Sequence, residues 1–429
     1  MQNFQVAILG FGTVGSGVYR VLTENAHELM HREELAIGVK HILVRDFEHE
    51  PNLNLAPRAV FTTNFDEIVH DPEIDIVVEC LGGVEPARTF ILKCLNAGKT
   101  IVTSNKEVIS KHWSEFEPAA KATGAGLYFE ATVGGGIPIL RTITDSMQAN
   151  NITRVMGIIN GTTNYILTRM NEEGKSFDEA LKEAQQLGYA EANPTADVEG
   201  YDAMYKLSIL SSMAFHAHMP IDVIYREGIT KLTKADFDTA KLLGYKIKLL
   251  AIGKKQDNNI EVRVHPTMIP ETHPLASVRG VFNAVFLTGH AVDDVMLYGR
   301  GAGRMPTASA VVSDVIYACH ANKHHKYMTF QNKANMSAEV NLVRDFECVY
   351  CIRLNVTDKP GTLAAIAQAF AKQNVSLKNV LQLGELDGKS ARITFVTHHA
   401  HEMSIHAAIE DISALACVDH VESIIRAEE

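Results

Sequence analysis

Hydrophobic positions change their spacing along the chain, and the changes mark out its architecture. Residues 5–9 form a short apolar run, followed by a glycine turn and then by residues 14–30, whose apolar positions recur at helical intervals. Residues 35–44 predict a second strand. A third, residues 74–78, is bracketed by Asp71-Pro72 before it and Leu81-Gly82-Gly83 after it. Residues 100–103 follow Asn96-Ala97-Gly98-Lys99 as a fourth, and residues 127–129 follow Gly124-Ala125-Gly126 as a fifth. Short apolar strands alternating with helices predict a parallel, doubly wound sheet.

Near residue 151 the pattern changes. Residues 152–159 read as a strand, helices poor in glycine follow, and strands return near residues 260–268 and 282–288, which predicts an α+β block. Residues 321–336 are polar and rich in Lys, His and Asn, as a linker would be. The tail has its own order: strand 349–356, helix 361–373, strands 375–383 and 391–397, helix 401–415 and strand 418–425. That order is βαββαβ, a small ferredoxin-like sandwich. The whole is therefore an α/β chain: a Rossmann-type doubly wound domain, an α+β domain and a ferredoxin-like tail.

Size and charge narrow the function. The 429 residues suggest roughly three domains at about 150 residues each. Lys and Arg number 40 against 51 Asp and Glu, a net charge of −11, which argues against a general nucleic-acid or anionic-membrane surface. No apolar run approaches the ~20 residues of a membrane span, and Met1-Gln2-Asn3-Phe4 lacks the basic start of a secretory signal. Six scattered cysteines do not make a disulfide framework, so the expected compartment is the cytoplasm.

Gly10-Phe11-Gly12-Thr13-Val14-Gly15 is a G-x-G-x-x-G directly after a strand and at the start of a helix. Gly10 suits a tight turn, Gly12 a close approach of backbone to pyrophosphate, and Gly15 close helix–strand packing, with phosphates on the N–H groups near Thr13 and Val14. The second strand ends in Val44-Arg45-Asp46. Arg45 suits a 2′-phosphate and Asp46 a 2′-hydroxyl; the reading leans to NADP, with NAD the alternative. Thr103-Ser104-Asn105-Lys106 ends the fourth strand, where open α/β sheets bind ligands, so Thr103 and Lys106 are candidates at that edge.

The most specific stretch runs from Leu187-Gly188-Tyr189-Ala190-Glu191 through Pro194-Thr195-Ala196-Asp197-Val198-Glu199-Gly200 to Tyr201-Asp202-Ala203-Met204-Tyr205-Lys206. A helix after Gly200 puts Asp202 and Lys206 on one face, four residues apart. Leu207, Ile209 and Leu210 make that helix buried, so its charges need partners. Glu191 sits in a glycine-bearing turn that can fold over the same face.

With these motifs the chain resembles homoserine dehydrogenase across nearly all of residues 1–320. The resemblance rests also on Phe129-Glu130-Ala131-Thr132-Val133-Gly134-Gly135-Gly136-Ile137-Pro138, Asn160-Gly161-Thr162-Thr163-Asn164 and Gly299-Arg300-Gly301-Ala302-Gly303-Arg304-Met305-Pro306-Thr307. It implies reversible reduction of aspartate 4-semialdehyde to L-homoserine by a nicotinamide coenzyme, on the route to threonine, methionine and isoleucine. By the same resemblance Lys206 is the acid/base lysine, Asp202 orients it or the substrate, Glu191 binds the substrate α-ammonium, and Lys106 lies where cofactor and substrate meet. Two ammonium groups at one site are expected to lower a lysine pKa. Carbonyls of Glu130, Val133, Gly135 and Ile137 match a sodium site, and Gly303 lies on the nicotinamide side. Asn160 is read only as part of a polar strand-to-helix turn.

The tail resembles an ACT domain, with Gly361 opening its first helix, which implies an amino-acid effector, threonine by family context. The implied division is 1–133 for the dinucleotide, with 305–320 packing back on it; 134–304 for substrate and dimerisation; a linker over 321–347; and 348–429 for regulation. A homodimer or homotetramer is expected, with neither nucleic acid nor membrane as partner. Cys348-Val349-Tyr350-Cys351 lies in a strand, where positions i and i+3 face opposite sides, so it is not read as a zinc or redox pair. Lys323-His324-His325-Lys326 and His398-His399-Ala400-His401 are read as linker and loop. Two rival functions are a reductase of a related amino-acid aldehyde and a non-catalytic sensor of NADP and amino acids.

Overall fold

The computed structural model describes residues 2–48, 59–320, 340–385 and 390–428. Its first sheet contains β1 (Gln2–Leu9), β2 (Leu35–Leu43), β3 (Val60–Thr62), β4 (Ile76–Glu79), β5 (Thr100–Thr103) and β6 (Leu127–Tyr128). The order is β3-β2-β1-β4-β5-β6 and every neighbouring pair is parallel. The chain reverses its winding between β1 and β4, the place where such sheets open a crevice for ligand.

Alternation along the central strands feeds two cores. Val6 and Ile8 of β1 pack with Val18 and Leu22 of the helix Thr13–Glu24 and with Ala308, Val311 and Val315 of the helix Arg304–His320. Ala7 and Leu9 turn the other way, toward Ile91 and Leu95 of the helix Ala87–Asn96 and Val108 and Phe116 of the helix Lys106–Thr123. Both faces are covered there, which is why residues 6–9 of β1 and 76–78 of β4 are continuously apolar. The run expected as one helix over 14–30 divides at Asn25 into Thr13–Glu24 and Ala26–Arg32.

The second sheet joins the remaining two parts. Its strands are β7 (Ile152–Ile158), β8 (Tyr225–Arg226), β9 (Tyr245–Gln256), β10 (Asn259–Pro270), β11 (Phe282–Gly289), β12 (Asp293–Arg300), β13 (Asn341–Leu342), β14 (Glu347–Thr357), β15 (Leu377–Glu385), β16 (Ser390–Thr397), β17 (Ala400–His401) and β18 (Val418–Ala427). The main path runs β12-β11-β7-β9-β10-β18-β14-β16-β15. Its seam is the parallel pairing of β10 with β18 at Thr267 with Arg426 and Met268 with Ala427, so the tail's sheet continues the α+β sheet. The tail is βαββαβ, with the helices Thr362–Lys372 and Glu402–Ser413 packing Ile366, Phe370, Ile405 and Ile412 on Tyr350, Ile352 and Phe395. Residues 321–336, read as a linker, lie outside the described residues, as do His324 and His325.

Candidate active site

The carboxyl edge of the first sheet faces the helix Tyr201–Phe215 across a cleft of about 580 Å³. At the nucleotide end, Gly10 has φ +90° and its N–H donates to Leu43 O at 2.9 Å, which ties the turn to β2. A Cβ on Gly15 would lie 2.0 Å from Gly10 O, whereas one on Gly12 would meet no protein atom within 4 Å. The helix after Gly12 has no side-chain cap, and Thr13 and Val14 line the cleft. An uncapped helix start beside open space fits the pyrophosphate of a dinucleotide. Arg45 is exposed just past the end of β2, and Gly303, at φ +121°, lines the opposite wall. Thr103 is fully buried: its hydroxyl donates to Glu79 Oε2 at 2.5 Å and accepts from the Asn105 N–H at 2.9 Å. Ser104, its neighbour, is the one that faces the cleft.

At the other end Gly200, at φ +81°, turns the chain into the helix Tyr201–Phe215, and Asp202 and Lys206 share its cleft-facing side. Both are only 8% exposed. Lys206 Nζ donates to Asp202 Oδ2 at 2.6 Å and to Ile159 O at 2.8 Å. Lys106 Nζ stands 3.1 Å from Asp202 Oδ1, so one carboxylate bridges two ammonium groups. Asn160 Nδ2 donates to Asp202 Oδ2 at 2.9 Å and to Asp197 Oδ1 at 2.7 Å. Its Oδ1 accepts from the Thr163 N–H at 2.8 Å, capping the helix Gly161–Glu173, and this fixes which end of the amide meets the carboxylates. Glu191 lines the cleft from its exposed rim.

Burial pushes the Asp202 carboxyl up, but the Lys206 and Lys106 charges outweigh it and hold the group well below the usual carboxylate range. Asp197 is raised by burial and then by Asp202. Lys106 corrects the sequence expectation. Its pKa is raised, chiefly by the Asp202 charge, which lies between the two lysines and outweighs the opposing effect of burial.

The glycine stretches cross one another beside the cleft. A Cβ on Gly135 would fall 2.4 Å from Gly301 O, and one on Gly301 would fall 1.5 Å from Asn283 Oδ1. Gly136 N–H donates to Arg300 O at 3.1 Å. Gly135 lines the cleft, while Val133 and Ile137 are buried. The Glu130 carboxylate accepts from the Leu140 N–H at 2.9 Å and the Arg141 N–H at 2.7 Å; burial, then Asp314, pushes it up to about 7. The carbonyls of Glu130 and Ile137 each accept one backbone bond, from Val133 N at 3.3 Å and Ile139 N at 2.8 Å, and each oxygen keeps a second lone pair. A turn of hard carbonyl donors is compatible with a small monovalent cation.

Sequence reasoning did not find Asn160 and Asp197 as site residues. Their only local signal is an Asn placed to cap a helix and a carboxylate just before a glycine turn. Cys348 and Cys351 are both buried in β14, and burial pushes their thiols up to about 11 and about 12.

Residues 10–130 match the family described as the NAD binding domain of homoserine dehydrogenase, residues 138–316 match homoserine dehydrogenase, and residues 352–417 match the ACT domain. A homoserine dehydrogenase of Bacillus subtilis is 39% identical, with 100% of this chain and 99% of the relative covered. The crystal structure of a homoserine dehydrogenase from Thiobacillus denitrificans is 42% identical, with a TM-score of 0.94 and coverage of 100% and 99%. A hyperthermophilic archaeal homoserine dehydrogenase in complex with NADPH is 29% identical, with a TM-score of 0.63 over 74% of this chain and 98% of its own. With three successive regions and the full length of two relatives in agreement, the chain belongs to the homoserine dehydrogenase family.

Proposed function

We propose that Lys206 is the acid/base group of this oxidoreductase as it interconverts L-aspartate 4-semialdehyde and L-homoserine. When bound, the nicotinamide supplies the hydride that reaches the aldehyde carbon. The carbonyl π electrons move onto oxygen, and a Lys206 N–H proton passes to that oxygen to complete the hydroxyl. In the reverse direction the neutral amine takes the hydroxyl proton. One observation carries this reading: two of the three Lys206 donors are committed to Ile159 O and Asp202, which aims the ammonium and leaves the third donor for substrate. Asp202 holds the lysine, the Lys106 charge faces the developing oxyanion, and Glu191 offers the right sign for an α-ammonium. Lys206→Ala should lower kcat by about two to four orders of magnitude, the range for losing such a group. The assay is homoserine-dependent reduction of NADP and NAD in parallel, and near-normal turnover would remove Lys206 from the role.

The finer assignments rest on the same surfaces. NADP is the proposed coenzyme, with Gly10, Gly12, Gly15, Thr13 and Val14 at its pyrophosphate, Thr103 in the wall beneath it, Gly303 near the nicotinamide and exposed Arg45 for a 2′-phosphate. Arg45→Ala should then raise KM for NADP and not for NAD. Sodium is the proposed ion for the carbonyls of Glu130, Val133, Gly135 and Ile137; coenzyme affinity indifferent to exchanging sodium for a bulky cation would count against it. Threonine is the proposed ACT effector, supported by Gly361 at φ +96°, which opens a helix with no side-chain cap. A cytoplasmic homodimer or homotetramer completes the reading.

A further inference from the structure

The last strand of the tail reaches the catalytic helix through residues that the reaction as described does not use. Arg426 of β18 is buried between the two halves of the large sheet, at 3% exposure. Its Nε donates to Glu402 Oε2 at 2.9 Å, inside the tail. Its Nη2 donates to the same carboxylate and, across the seam, to the Tyr225 hydroxyl at 2.7 Å, while Nη1 crosses the seam to Glu227 Oε2 at 2.8 Å. A planar guanidinium engaged on several edges fixes the groups it binds in direction as well as distance. Glu227 is held from behind, its N–H donating to Val264 O at 2.8 Å on β10, the strand that pairs with β18.

Beyond Glu227 the chain meets the catalytic turn with no side chain to cushion it. A Cβ on Gly228 would lie 2.5 Å from Val198 O and 2.7 Å from Glu199 Cα. Ile229 N–H donates to Val198 O at 2.8 Å, Thr230 Oγ1 donates to Glu199 Oε1 at 2.9 Å, and Arg226 donates to Glu199 O. Val198 and Glu199 are the residues between Asp197 and Gly200, and Gly200 N–H donates to Asp197 O at 2.9 Å. Asp197 and Asp202 therefore hang from the two ends of this gripped turn, with Asn160 Nδ2 between them.

We propose that Arg426 is a positioning residue for the catalytic turn, acting through Glu227 and the backbone of residues 228–229 on Val198 and Glu199. The proposal rests on the reading of Asp202 and Lys206 as the reacting centre. A shift of about 1 Å in such a group costs up to about a hundredfold in rate. The tail, by this route, sets how well the site is assembled, and a ligand that moves β18 moves the Asp197–Asp202 turn.

Arg353 supplies the control. It also crosses the seam, pairing with Asp236 at 2.9 Å while holding Glu422 of β18 at 2.6 Å inside the tail, but it has no hydrogen bond or ion pair with residues 225–230. In the full-length enzyme, Glu227→Ala and Gly228→Ala should lower kcat about tenfold or more with the dissociation constant for NADPH unchanged, since the nucleotide end lies apart from the turn. Glu227→Gln, which keeps an acceptor for Arg426, should recover most of the rate. Arg426→Ala combined with Glu227→Ala should fall no lower than the worse single variant, because both act through one contact. Arg353→Met should reduce the thermal midpoint while leaving kcat near normal. Normal turnover in both Glu227→Ala and Gly228→Ala overturns the proposal, as does an Arg353→Met loss of rate equal to theirs, which would make general docking the cause. Lys206→Ala is run beside them: retained turnover there overturns the assignment of the site, and this proposal with it.

Discussion

Asp202 and Lys206 are legible in the sequence because their relation is local, four residues apart on one helix. The glycine turn is legible for the same reason. Asn160 meets Asp197 and Asp202 over separations of 37 and 42 residues, and nothing in a linear pattern marks a bond of that span. Lys248 was equally hidden. It is 4% exposed, donates to Asn164 Oδ1 at 3.1 Å and to Val278 O, and supports the loop whose Val281 lines the cleft. Burial first, and the Lys246 charge second, pull its pKa down to about 8. The folded value lies below the unfolded one of 10.5, so its contribution to stability is full above pH 10.5 and is lost as pH falls through about 8. Urea midpoints should accordingly climb between pH 8 and 10 in the wild type, at no more than about 1.4 kcal/mol per pH unit from this group, and Lys248→Met should flatten the climb.

Elements were read more easily than their boundaries. Strands of the first sheet stand out because both faces are apolar, but β3 is three residues long and gives almost no pattern to see. β9 has only the short apolar run 249–252 between Lys246, Lys248, Lys254 and Lys255, and β12 only 295–298 on a sheet edge where exposed and half-buried residues alternate, so each shows less pattern than its length. At the nucleotide turn two neighbouring glycines make opposite predictions. Gly15→Ala drives a methyl into backbone and should cost about 1 to 3 kcal/mol in stability, along with coenzyme binding. Gly12→Ala meets open space, so its thermal midpoint should stay near wild type while KM for NADP rises. Equal melting of the two variants would mean that the packing of this turn has been misjudged.

At the scale of the whole molecule, the resemblance carried the reading further than pattern alone, since βαββαβ order identifies the tail but says nothing of where it docks. The seam between β10 and β18 could not be foreseen: it is made of two residue pairs, surrounded by buried arginines that a sequence reader assigns to the surface. Threonine is expected to inhibit the full-length enzyme, and Gly361→Val, which forces a branched residue into left-handed backbone, should abolish the inhibition. Circular dichroism would check that the tail remains folded. Inhibition that survives intact would remove the proposed effector site from the start of that helix.

The crossing of Gly135, Gly301 and Asn283 has a mechanical meaning. The turn at Gly135 lies against the backbone of Gly301, and Gly301 lies against the Asn283 side chain, with no clearance at either glycine for even one methyl group. Both glycines line the cleft, so a bulkier residue at either one would push its wall inward or apart and should weaken coenzyme binding before it touches Lys206.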